Sequence, residues 1–85
     1  MTKKAMKIQL DGGLEARPVA MLVQIASQYD STIYIEAEGK KVNAKSIMGM
    51  MSLRLQKGEN ITVVAEGKDE AEAAAGVENF LVANN

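Results

Sequence analysis

The apolar residues of this chain change their period repeatedly along its length, and each change marks an element. Residues 3–10, KKAMKIQL, alternate, with Met6, Ile8 and Leu10 facing one way and Lys7 and Gln9 the other. A period of two belongs to a half-buried strand. Asp11-Gly12-Gly13 breaks it, because paired glycines favour a turn or loop. Pro18 fits a first helical turn, where its missing N–H costs nothing. Val19, Leu22, Val23 and Ala26 then follow at helical spacing, a helix of about three turns that Asp30-Ser31 ends.

Residues 32–36, TIYIE, are β-branched and aromatic, with Ile33 and Ile35 on one face and Tyr34 on the other. Glu38-Gly39-Lys40 makes a tight turn, so Lys41-Val42-Asn43 pairs back as a short antiparallel partner. A short helix after Ser46 is expected to end near Leu53 or Leu55. Lys57-Gly58-Glu59-Asn60 is a turn cluster. Residues 61–65, ITVVA, are the clearest strand, with Ile61, Val63 and Ala65 inward.

Asp69, followed by Glu70 and Glu72, has the pattern of a helix cap with an acidic first turn. The helix runs to about Ala83 with Ala73, Val77, Phe80 and Leu81 as its buried stripe. Gly76 inside it costs about 1 kcal/mol relative to Ala, which close packing against the sheet would explain. The order is β-α-β-β-α-β-α. It implies an α+β domain spanning residues 1–85, a four-stranded antiparallel sheet with three helices on one face. The outward set Lys7, Gln9, Thr32, Tyr34, Glu36, Thr62, Val64 and Glu66 is mostly polar, as a face open to water requires.

Composition narrows the chemistry. The 85 residues hold no Cys and no His, so thiol chemistry, the usual proton shuttle and the softer metal ligands are all missing. A net charge of −1 gives no field to recruit nucleic acid or an anionic membrane. No apolar run approaches the ~20 residues of a membrane span, and no signal-peptide pattern opens the chain. The expectation is a soluble, cytoplasmic domain without cofactor or metal.

Residues 43–53, NAKSIMGMMSL, are the candidate site. Ser46 precedes the short helix as a favoured N-cap. A helix start tolerates an anion, and Lys45 and Lys41 are close in sequence. On pattern alone Ser46 is a plain cap and the methionines are core. They are nevertheless too many for one face of so short a helix. Those that point outward suit an adaptable docking surface.

Two motifs then carry a resemblance. Residues 13–18, GLEARP, resemble the G-[IL]-H-A-R-P signature of HPr, the histidine phosphocarrier family of the bacterial sugar phosphotransferase system. Lys45-Ser46-Ile47-Met48-Gly49, with Met51-Ser52-Leu53, resembles the regulatory-serine motif of the family in Gram-positive bacteria. Both motifs sit at the family's spacing, so the likeness spans essentially the whole chain. It implies the family's open-faced β-sandwich.

One position departs from the signature: Glu15 stands where the family has its phosphorylated histidine. A carboxylate would form only an acyl phosphate, and its charge would repel an incoming phosphohistidine. Histidine relay is therefore not expected. Members of the catabolite-repression branch also lack the histidine and keep the serine, with glutamine where this chain has glutamate. By itself Glu15 is expected to pair with Arg17, an exposed ion pair worth about 0–1 kcal/mol. Another reading makes it a fixed negative charge at the phosphohistidine position.

The resemblance implies a regulatory protein of carbon catabolite repression that is not an enzyme. Ser46 would be phosphorylated by HPr kinase/phosphorylase, and the modified form would bind a repressor of the catabolite control protein A type. Ile47, Met48 and Met51 would be its apolar docking contacts, and Arg17 and Lys45 its charged ones. Two alternatives stay open. One is a phosphocarrier whose histidine is substituted, natively or by engineering. The other is a docking decoy for phosphotransferase enzymes.

Overall fold

A computed structural model describes residues 1–11 and 15–82 of the chain. Its elements are β1 (Thr2–Lys7), α1 (Ala16–Ser27), β2 (Thr32–Ala37), β3 (Lys40–Asn43), α2 (Ile47–Met51), β4 (Asn60–Glu66) and α3 (Glu70–Val82). The order matches the one read from the periods. Among the described residues the strands form one antiparallel sheet in the order β1-β4-β2-β3. The register sets Ile35 beside Val63 and Ile33 beside Ala65, and β4 adds Ile61 to the same buried face. Val19, Leu22 and Ala26 of α1 and Ala73, Ala74, Val77 and Leu81 of α3 complete the core over that face.

The hairpin between β2 and β3 turns on two residues. Glu38 and Gly39 have φ of 53° and 77°, the left-handed pair that a two-residue turn needs to follow the strand twist. β1 is shorter than its alternation suggests. Past Lys7 the chain leaves the ladder: the Ile8 N–H donates to the Glu59 carbonyl at 3.0 Å, and that of Gln9 to the Leu81 carbonyl at 2.8 Å. Ile8 is still fully buried.

Several expectations change where a distant residue decides the outcome. Val64 lies on the outward face yet is only 2 % exposed. The register places it between Lys3 and Tyr34, both larger than itself. Phe80 is half-buried, and Ala74 takes a place in the core. α2 stops at Met51, where the Ser52 hydroxyl donates to the Gly49 carbonyl at 2.6 Å and Arg54 turns left-handed at φ 49°.

The Asp69 carboxylate does not act as a simple cap on α3. It accepts from the Asp30 and Ser31 backbone N–H groups, each at 2.9 Å, and from the Ser31 hydroxyl. Ser31, only 1 % exposed, is thereby satisfied, and the start of β2 is fastened to the start of α3. Gly76 is closely packed as expected, but against Tyr29 and not the sheet. A Cβ there would lie 3.0 Å from Tyr29 Cζ.

Two predictions follow from these contacts. Replacing Gly76 by Ala gains about 1 kcal/mol of helix propensity, against an overpacking cost of about 1–3 kcal/mol. Gly76→Ala is thus neutral to destabilising in the parent but stabilising in a Tyr29→Ala background. Equal effects in both backgrounds, measured by denaturant unfolding, would contradict the assignment.

The second concerns acid. Hydrogen bonds from the N-terminal ammonium, the Thr2 hydroxyl and the Gly67 N–H lower Glu70 from an ordinary 4.5 to about 2. The Ser31 hydroxyl and Asp30 N–H lower Asp69 as well. A depressed carboxylate stabilises the fold above its unfolded pKa, and that stabilisation is lost as pH falls through the folded one. Stability should therefore drop between about pH 4.5 and 2. Asp69→Asn with Glu70→Gln should flatten that part of the curve while lowering the plateau.

Candidate functional site

The segment from Asn43 to Ser46 is built as a turn that delivers Ser46 to the start of α2. The Asn43 side-chain oxygen accepts from the Lys45 N–H at 2.8 Å, and its carbonyl accepts from the Ser46 N–H at 3.0 Å. Ser46 itself is extended, with φ −108° and ψ 114°, and its hydroxyl accepts from the Gly49 N–H at 3.2 Å. That is the geometry of a helix N-cap. Gly49 is small for a reason: a Cβ there would sit 3.3 Å from the Ser46 hydroxyl oxygen.

α2 is only five residues long, and just one of its side chains anchors it. Met50 is fully buried, whereas Met48 is 84 % exposed, Ile47 51 % and Met51 40 %. The three-residue apolar surface therefore stands directly beside the serine hydroxyl. The expectation that some methionines point outward holds, and Met50 is the one that belongs to the core.

The charged residues do not gather as the sequence suggests. The Lys45 ammonium donates to the Tyr29 carbonyl at 2.7 Å, just beyond the C-terminal end of α1. Lys41 lies on the open face of the sheet, 4.7 Å from the Tyr34 ring centroid.

Glu15 and Arg17 both sit exposed at the start of α1. The Glu15 backbone is extended and its side chain caps nothing. Among the described residues the ion pairs are Met1 with Glu70, Lys4 with Glu78 and Lys57 with Asp11, so the expected pair between Glu15 and Arg17 does not form. Arg17 instead lines a cleft between α1 and α3, together with Pro18, Met21, Tyr29 and Phe80. The cleft was missed in the sequence. Its signal was there, in Pro18, Met21 and Ile25 at helical spacing beside the core stripe of α1. Gly13 and Leu14 of the signature lie outside the described residues.

Among the described residues no cluster of three His, Cys, Asp or Glu side chains is placed to hold a metal. Nor is any helix there long and apolar enough to cross a membrane.

Comparison with known proteins places this geometry. The family model described as "PTS HPr component phosphorylation site" matches residues 2–83. The HPr-like protein Crh of Halalkalibacterium halodurans is 49 % identical over 81 residues, covering 95 % of this chain and 96 % of the relative. The HPr-like protein Crh of Bacillus subtilis is 48 % identical over 73 residues, 86 % of each chain. Among solved structures, the phosphocarrier protein HPr of Bacillus anthracis superposes with a TM-score of 0.92 at 44 % identity. That match covers 94 % of this chain and 95 % of the other.

The packing of α2 predicts how its residues respond to substitution. Met48→Asp should leave the thermal midpoint nearly unchanged, since surface changes cost under about 0.5 kcal/mol. Met50→Ala should cost about 2–5 kcal/mol by cavity formation. Ser46→Ala should cost about 1 kcal/mol through the lost cap. A large fall for Met48→Asp would place that side chain in the core and contradict the assignment.

Proposed function

The chain belongs to the HPr family, and from that premise we propose that it is a Crh-like regulator of carbon catabolite repression switched by phosphorylation of Ser46. It is a binding module and not an enzyme. The observation that carries the proposal is the adjacency of the Ser46 hydroxyl to the exposed Ile47, Met48 and Met51, in a chain with Glu15 at the relay position. Such a surface binds partners and can be marked, while the chain has no histidine to relay a phosphoryl group.

The kinase is an HPr kinase/phosphorylase, and the partner of the marked form is a repressor of the catabolite control protein A type. Both act in the cytoplasm. Phosphate on Ser46 adds about −1.5 to −2 of charge beside Met48. The N–H groups at the start of α2 face it, so the helix is kept while the surface changes sign. Partners presenting Arg or Lys then gain affinity, and those with acidic faces lose it. Lys45, whose ammonium is held by the Tyr29 carbonyl, keeps its positive charge beside the phosphorylated serine in sequence. Arg17 supplies the cationic contact from α1.

Incubation with HPr kinase/phosphorylase and ATP, followed by peptide mass spectrometry, tests the site. A single phosphate on Ser46, lost in Ser46→Ala, is expected; phosphate elsewhere, or none, would contradict it. Phosphoenolpyruvate with the general phosphotransferase enzyme should give no label. Glu15→His should restore labelling, because Ala16, Arg17 and Pro18 keep the family pattern. Hydroxylamine-sensitive label on Glu15 of the parent would instead favour the carrier reading.

A further inference from the structure

The cleft between α1 and α3 is separate from the α2 surface and has its own chemistry. Along α1 a second apolar stripe, Pro18, Met21 and Ile25, faces away from the core, and Met21 is 47 % exposed. Phe80 forms the opposite wall on α3. Gly76 leaves that wall without a side chain, and Tyr29 folds against it to close one end.

Its charge is one-sided. The Asp11 carboxylate in the lining is held by the Lys57 ammonium at 2.9 Å. Arg17 makes no ion pair or side-chain hydrogen bond among the described residues. Among the described residues its guanidinium is therefore the uncompensated charge of the lining, and its planar fork matches a carboxylate. At the helical rise per residue, Ile25 lies about 12 Å further along α1 than Arg17.

We propose that this cleft is a binding site for one medium-chain acyl carboxylate, its head on Arg17 and its chain along Pro18, Met21 and Ile25 toward Tyr29. The site shares Arg17 with the partner contact assigned above, while its apolar wall lies apart from α2. The apolar wall sets the length of ligand that fits, and the single cation sets its charge.

The test is titration of the ¹⁵N-labelled full chain with octanoate, decanoate and dodecanoate below their micellar concentrations. Amide shifts should concentrate on the facing turns of α1 and α3. Affinity should rise about two- to fourfold per added methylene and level off once the ~12 Å of cleft is filled. Arg17→Gln should weaken decanoate about five- to tenfold and leave decanol unchanged. Met21→Asp, at an exposed position, should abolish binding while the thermal midpoint holds. Decanol binding as tightly as decanoate, silence of Arg17→Gln, shifts centred on α2, or no shift at all would each overturn the proposal.

Discussion

The bond between Ser31 and Asp69 holds together the two parts of this molecule that local sequence cannot join. Ser31 is buried at the start of β2 and Asp69 stands at the start of α3. An unpaired hydroxyl and N–H on buried Ser31 would each carry the cost of a buried polar group, about 1–3 kcal/mol, and the exposed Asp30 N–H adds a third bond. The carboxylate answers all three. Gly67, at φ 150°, lets the chain pass closely enough for this: a Cβ would lie 2.8 Å from Ser31 Cα. With β2 and α3 fixed, β4 is set between β2 and β1, and α1 lies against α3.

α2 stands outside that framework. One buried methionine, Met50, and one cap, Ser46, hold it in place. The rest of its apolar side chains face solvent, so it offers partners a surface whose loss costs the core little. In the proposed function this division matters. A charge added at Ser46 meets backbone N–H groups already turned toward it, and no core packing must be undone for partners to feel the change. Glu15 fits the same picture, an exposed carboxylate without the ion pair expected for it. In the proposed function it stands at the relay position in place of the phosphorylatable histidine.

Much of the fold was legible because it rests on periodicity. Ile33 and Ile35, and Ile61 and Val63, mark strands by alternation alone, and Val19, Leu22 and Ala26 mark α1. Ser46 as a cap is a local rule obeyed locally. What failed depended on residues far apart in the chain. Asp69 has the sequence of a cap, but its carboxylate is claimed by Ser31. Val64 reads as outward and is covered because Lys3 and Tyr34 flank it in the register. Gly76 announced a close approach without naming Tyr29 as its cause. In the candidate site, the serine and its methionines form one continuous segment and were readable as such. Lys45 and Lys41 were not, since their side chains turn to a carbonyl and a ring that only the folded chain brings near.

In the proposed function, phosphorylation of Ser46 exchanges partners through charge on a preformed surface. Backbone chemical shifts of the Ser46-phosphorylated and free forms, paired with their affinities for a catabolite control protein A-type repressor, test it most directly. Shifts should be confined to residues 43–53 and their immediate neighbours, with much tighter binding of the phosphorylated form. Widespread shifts across the sheet, or equal affinity of the two forms, would contradict it.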